Sequence, residues 1–146
     1  MVSDIEDYTG LLYHHYFTQK INNAVLFVPI NNSSYERWVY DENSRQFQDV
    51  NFLSNKKIIN IKSSANYFYM ATKNNIYKVD YNLDYIELLN INDYDIYNMG
   101  VNDNEVIFNA LRNSDGKVVI GIIASDGTVE ILDYTLNKQV NNIEFL

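Results

Sequence analysis

Three stretches of this chain repeat one layout, and that repetition limits the fold more than any other feature. They run Tyr13–Val50, Ile58–Leu89 and Ile96–Leu132. In each, a short opening segment meets a polar turn and then an apolar run. Asn22-Asn23 leads into Ala24–Val28, Ala65-Asn66 into Tyr67–Ala71, and Asp103-Asn104-Glu105 into Val106–Phe108. A second turn follows, at Asn31–Ser34, Lys73–Asn75 and Arg112–Gly116, and opens onto Tyr35–Tyr40, Ile76–Tyr81 and Lys117–Ile123. A last turn, at Glu42–Ser44, Asn82–Asp84 and Ser125–Gly127, leads to Phe47–Val50, Tyr85–Leu89 and Thr128–Leu132. The turn residues Asn23, Asn66 and Asn104 lie 43 and 38 positions apart. A period of roughly 40 with four strands per unit is the arithmetic of a β-propeller blade. A twisted four-stranded sheet has two faces and buries neither alone, so such units stack.

Composition supports β structure. The chain holds 22 Asn and 13 Tyr against five Gly and one Pro. Tyr fits half-buried strands. Asn tolerates left-handed backbone and bonds its own chain, so it can stand in turns where Gly is expected. An AT-rich genome would also raise Asn, Ile, Lys and Tyr. In Ile76–Tyr81 the apolar set Tyr77, Val79 and Tyr81 alternates with Lys78 and Asp80, which reads as an outer strand with one face buried. Val118–Ala124 is apolar on both faces, like an inner strand. Asp115-Gly116 and Asp126-Gly127 are the strongest hairpin signals.

The pattern of Tyr67-Phe68-Tyr69, then Ile76-Tyr77-Lys78-Val79-Asp80, then Tyr85–Leu89, resembles the degenerate blades of bacterial six- and seven-bladed β-propellers. The resemblance covers about residues 13–133. It lacks the Trp-Asp signature of the commonest propeller repeat, since Val39 follows Trp38, and it lacks the kelch double glycine. It implies an all-β fold of about three four-stranded antiparallel blade-like units, 13–50, 58–89 and 96–132, in one domain over 1–146. A closed ring needs four or more blades, at least about 160 residues, and the chain has 146. Three arrangements follow: a half-propeller closed by homodimerisation, a part of a larger assembly, or a plain β-sandwich of short strands. Residues 140–146 alternate again and read as a closing strand. Ser3–Glu6 fits a capping box loosely, and Tyr8-Thr9-Gly10 reads as a turn.

With no cysteine, disulfides, thiolate metal sites and cysteine nucleophiles are excluded. The formal net charge is −8, which repels a phosphate backbone, so nucleic acid is not an expected partner. The one basic stretch, Lys56, Lys57, Lys62, Lys73 and Lys78, reads as a solvated face or a subunit contact. The acidic N-terminus lacks the layout of a signal peptide. The longest apolar run, Val118–Ala124, is far short of the ~20 residues that span a bilayer. The expected location is therefore cytoplasmic or within a virion or phage-like particle, with no membrane partner.

Few side chains suggest chemistry. His14 and His15 are adjacent, so on a strand they point to opposite faces and do not share a metal. Asp93/Asp95 and Asp103/Glu105 supply part of a calcium-loop spacing without its Gly or distal Glu. No serine sits in a Gly-x-Ser-x-Gly elbow, and no Gly-rich phosphate loop exists. No catalytic residue, cofactor or metal is expected. Tyr35, Trp38 and Tyr40 share one strand, and aromatic rings beside Asn/Asp turns suit sugar stacking. The alternative for Trp38 is a place in the core with Arg37 pointing outward. The expectation from these residues is a non-enzymatic structural or assembly module acting through protein–protein contacts. Its setting would be a multi-subunit complex such as a bacteriophage or phage-like particle, as a homo-oligomer or within a larger assembly. The alternative is a carbohydrate-binding module with a glycan near Tyr35, Trp38 and Tyr40.

Overall fold

The computed structural model describes residues 16–29 and 37–136. Tyr35, the histidines, the Ser3–Glu6 segment, the Asn31–Ser34 turn and the closing strand expected at 140–146 lie outside the described residues. Among those described there is no helix, and none that is long and apolar enough to cross a membrane. The fold is all-β: three four-stranded antiparallel sheets, each formed by strands consecutive in the chain. That nearest-neighbour meander, repeated three times, is the blade-like layout expected from the period.

The first sheet runs β1 (Tyr16–Ile21), β2 (Ala24–Pro29), β3 (Trp38–Asp41) and β4 (Gln46–Asp49), in that spatial order. Asn22-Asn23 closes β1 onto β2 as a two-residue hairpin, with Asn22 at a φ of 22°. Between β3 and β4 the Asp41 carboxylate accepts the amides of Asn43 and Ser44 at 2.8 and 3.1 Å. This is a side chain replacing backbone in a turn. Leu26 and Val28 are fully buried, and Ile21, Phe47, Phe52, Leu53 and Ile58 nearly so. This sheet and the segment to Ile58, with residues 81–83, form one compact unit; the remaining chain forms a second.

The second unit holds two sheets. One comprises β5 (Asn60–Ser63), β6 (Tyr67–Ala71), β7 (Asn75–Asp80) and β8 (Tyr85–Asn90), in that order. The other comprises β9 (Tyr94–Val101), β10 (Val106–Arg112), β11 (Val118–Ile123) and β12 (Val129–Leu136). They face each other through one apolar core. Tyr69, Ala71, Ile76 and Leu89 come from the first, and Ile96, Met99, Val106, Phe108, Ala110, Val119 and Ile123 from the second. Burying these side chains against one another is the term that holds the two sheets together. Polar links flank it: Asn60 Nδ2 donates to Asn98 Oδ1 at 2.6 Å, and the amides of Ile91 and Ile96 donate to the carbonyls of Asn74 and Lys73, each at 2.9 Å.

One sequence expectation is corrected here. Ile76–Tyr81 is not an outer strand: β7 pairs with β6 on one side and β8 on the other, and Ile76 is as buried as Val79. Its Lys78 and Asp80 alternate with apolar residues because they lie on the face that ends in a groove, not because the strand is at the edge. Asn takes both of the turn roles expected of it. Asn22 is the described asparagine with positive φ, and Arg45, Leu53 and Leu83 also take left-handed backbone, at φ of 58°, 48° and 68°. Asn102 bonds its own chain, its Oδ1 accepting the amides of Asn104 and Glu105. The inner-strand reading of Val118–Ile123 holds, since β11 lies between β10 and β12. The Asp-Gly hairpins hold as well, with Gly116 and Gly127 at φ of 71° and 87°.

Candidate functional site

The aromatic set expected to stack on a sugar sits in the first unit. Trp38 and Tyr40 are two residues apart on β3, so they share a face. Trp38 lies opposite Phe27 and is 8% exposed. Its ring is 5.9 Å from that of Tyr16. Tyr40 is half-buried, with its ring 5.0 Å from Phe47, which in turn is 5.7 Å from Phe27. The structure therefore brings Trp38 and Tyr40 together inside an aromatic cluster, and Trp38 offers little surface to a ligand. Arg37 does not point outward. It is 2% exposed, and its guanidinium donates to the carbonyls of Leu53 and Lys56 at 3.2 and 2.6 Å. The planar fork of the guanidinium lets it bind two carbonyls of one turn.

The densest polar constellation lies in the second unit, where the turn before β6 meets the turn before β10. Asp103 accepts from the Ser64 hydroxyl, from the Asn66 amide at 2.9 Å and from Asn66 Nδ2 at 2.6 Å. These bonds, Ser64's first, hold its carboxyl below the usual aspartate value. Lys78, from β7, donates to the Asp103 carbonyl at 3.0 Å. Its ammonium stands 4.1 Å above the Tyr67 ring centre and 6.0 Å from that of Tyr69, close enough for cation–π attraction. The Tyr69 hydroxyl donates to the Asn102 carbonyl at 2.8 Å. Burial, then the nearby Asp103 charge and Tyr67, push the Tyr69 phenol up to about 12.

Beside this clasp run two shallow hollows that share Lys78 and Ile86. One, of about 210 Å³, is walled by Tyr69, Leu88 and the β11–β12 turn at Ser125–Gly127. The other, of about 240 Å³, is walled by Tyr67, Asp80, Asp84 and Tyr85. At their common border lies β8, which ends its sheet. Tyr85 is 48% and Ile86 60% exposed, high values for large apolar side chains. The sequence reading placed Tyr85 in a blade strand and did not single out this edge. The available signal was position: an apolar pair opening the last strand of a unit, with no Lys or Pro to guard it.

The acid pairs are held by the protein itself. Asp95 accepts from Asn113 at 3.1 Å and pairs with the exposed Lys73 at 3.7 Å. Asp103 is bonded as above. Among the described residues no group of three His, Cys, Asp or Glu side chains is placed to hold a metal ion.

Fold and surface together define an all-β protein of three blade-like meanders whose second unit exposes an apolar sheet edge. No protein-family model and no curated protein matches the chain. Among solved structures it is similar to the N-terminal domain of Nup159, at 14% sequence identity and a TM-score of 0.49. That likeness covers 82% of this chain and 30% of the other.

Proposed function

We propose that this chain is a non-enzymatic assembly module that works through protein–protein contacts in a multi-subunit complex. The observation that carries the reading is where its exposed large hydrophobic side chains lie. Among the described residues these are Tyr85 and Ile86 on β8 and Val129 on β12, and both strands end their sheets. An apolar sheet edge is a liability to an isolated chain and an asset where a neighbour covers it. Two acids that suggested chemistry support the same reading, because Asp103 and Asp95 are bonded in ways that hold turns in place.

The setting we propose is a particle of the virion or phage-like kind, in which small acidic chains are covered by their neighbours; capsid or tail genes beside its own would support that setting. The module itself is tested by sedimentation of the native protein from its source. It should travel in a particle far heavier than its own 17.1 kDa. Recovery as a free 17.1 kDa monomer would overturn the reading.

A further inference from the structure

We infer that the hollow of about 210 Å³ between the two sheets of the second unit is a binding site for one neutral sugar ring. The inference goes beyond the assembly-module reading and does not depend on it. It also lies apart from Trp38 and Tyr40, which belong to the first unit. The floor of the hollow comes from the shared core: Tyr69, Val106 and Ile123 line it, and each is 1% exposed. These side chains are packed from both sheets, so the floor exists before a ligand arrives. Two polar heads beside it are fixed as well. The Tyr69 hydroxyl donates to the Asn102 carbonyl, and the Lys78 ammonium donates to the Asp103 carbonyl. Groups already ordered lose little freedom on binding.

The bonding capacity left over at the rim selects the ligand. An ammonium has three N–H donors, and the Asp103 carbonyl takes one from Lys78. Asp126 accepts the Thr128 amide on Oδ1 at 2.9 Å, and a carboxylate can accept more. The Asn104 carboxamide and the Ser125 hydroxyl take no hydrogen bond among the described residues, and both residues line the hollow. Donors and acceptors therefore stand together over an apolar floor. Lys78 and Asp126 are one cation and one anion in the same wall, so any ion that met its partner there would also meet a like charge. The net charge of −8 repels anions further. The volume is below the roughly 300–1,000 Å³ of sites for drug-sized ligands, which limits the occupant to about one ring. A pyranose meets these conditions together: it is neutral, its hydroxyls both donate and accept, and its C–H face is apolar. A purely apolar ring would leave the rim groups it covers without partners.

The test titrates the full chain with methyl β-D-glucopyranoside, methyl β-D-galactopyranoside and methyl α-D-mannopyranoside, followed by amide NMR. At least one should bind saturably, with a Kd on the order of millimolar, as few contacts at an open site allow. Its shifts should concentrate at residues 104–106 and 123–127. Glucuronate and glucosamine, the anionic and cationic counterparts, should each bind about threefold or more weakly. Ser125 and Asp126 are exposed, so Ser125→Ala with Asp126→Asn should keep the urea midpoint and lower the affinity about tenfold or more. Asp126→Asn alone should move the preference toward glucuronate, because it leaves the Lys78 charge unanswered. Shifts that never saturate with any of the three glycosides, or shifts centred elsewhere, would overturn the inference. So would glycerol binding as tightly as the best glycoside, phenol binding more tightly, or a double variant that folds and binds as before. A free native monomer on sedimentation would remove the module reading and leave this one standing; failure of every glycoside removes this one alone.

Discussion

Gly121 shows how one absent atom sets the packing between two sheets. It lies opposite Phe108 in the β10–β11 ladder, and a Cβ on it would stand 2.1–2.6 Å from three atoms of the Phe108 ring, far inside contact distance. The ring is fully buried in the core of the second unit and has nowhere to go. Gly121→Ala should therefore cost about 1–3 kcal/mol by overpacking, read as a lower urea midpoint. Phe108→Leu in the same chain should recover part of that loss, because the two residues share one space. Arg37 is the counterpart in the first unit. Arg37→Ala removes the donor shared by the Leu53 and Lys56 carbonyls; Leu53 O keeps the Lys56 amide, so the loss falls on Lys56 O and should cost about 1–3 kcal/mol, the range for leaving a buried acceptor unmet. Trp38, the sole tryptophan and its chain neighbour, reports that change by fluorescence. If Arg37→Ala leaves the midpoint in place, the carbonyls find water and the fork is dispensable.

At the scale of elements, the meander was legible because it is written in local signals. Asn23, Asn66 and Asn104 do stand in the first turn of each sheet, and Asp-Gly closes both later hairpins of the third. Burial on both faces of β11 was legible for the same reason: it is printed in consecutive residues. What was not legible depends on distant partners. Arg37 beside Trp38 reads as a surface charge until the chain returns with the Leu53 and Lys56 carbonyls. The bulges at Ile76/Tyr77, Asn109/Ala110 and Val118/Ile120 leave no local mark, since a one-residue slip shows only against the partner strand. Leu53 and Leu83 at positive φ break the residue preference of that region, so turn chemistry could not point to them. The candidate site suffered most: Trp38 and Tyr40 were chosen for residue type, whereas exposure at β8 is a property of sheet order. Tyr69 tests the seam between β6 and the turn before β10. Tyr69→Phe should lower stability by about 1 kcal/mol through loss of one hydrogen bond to the Asn102 carbonyl. An unchanged urea midpoint would mean that the bond is replaced by water.

For the whole molecule, titration at the two ends of the pH scale should bracket a stable plateau. Asp103, Asp115 and Asp126 are all held below the ordinary aspartate value of 3.8. The largest cause in each is a hydrogen bond, from Ser64, Arg112 and Thr128 respectively. The unfolded chain binds these protons more readily than the folded one, so their contribution is present above pH 3.8 and is lost as pH falls through the folded values. The alkaline side runs the other way. Tyr69 and Tyr77 are both pushed from 10.0 up to about 12 by burial, helped by Asp103 and Glu87 respectively. Below pH 10.0 both states keep these protons; between there and about 12 the unfolded chain sheds them first, and stability falls. Urea midpoints should accordingly drop on both flanks and stay level between them. Asp103→Asn should flatten part of the acid flank and leave the alkaline one. Tyr69→Phe with Tyr77→Phe should flatten the alkaline flank and leave the acid one. An alkaline flank as steep in the double variant as in the parent chain would mean that Tyr69 and Tyr77 do not govern stability there.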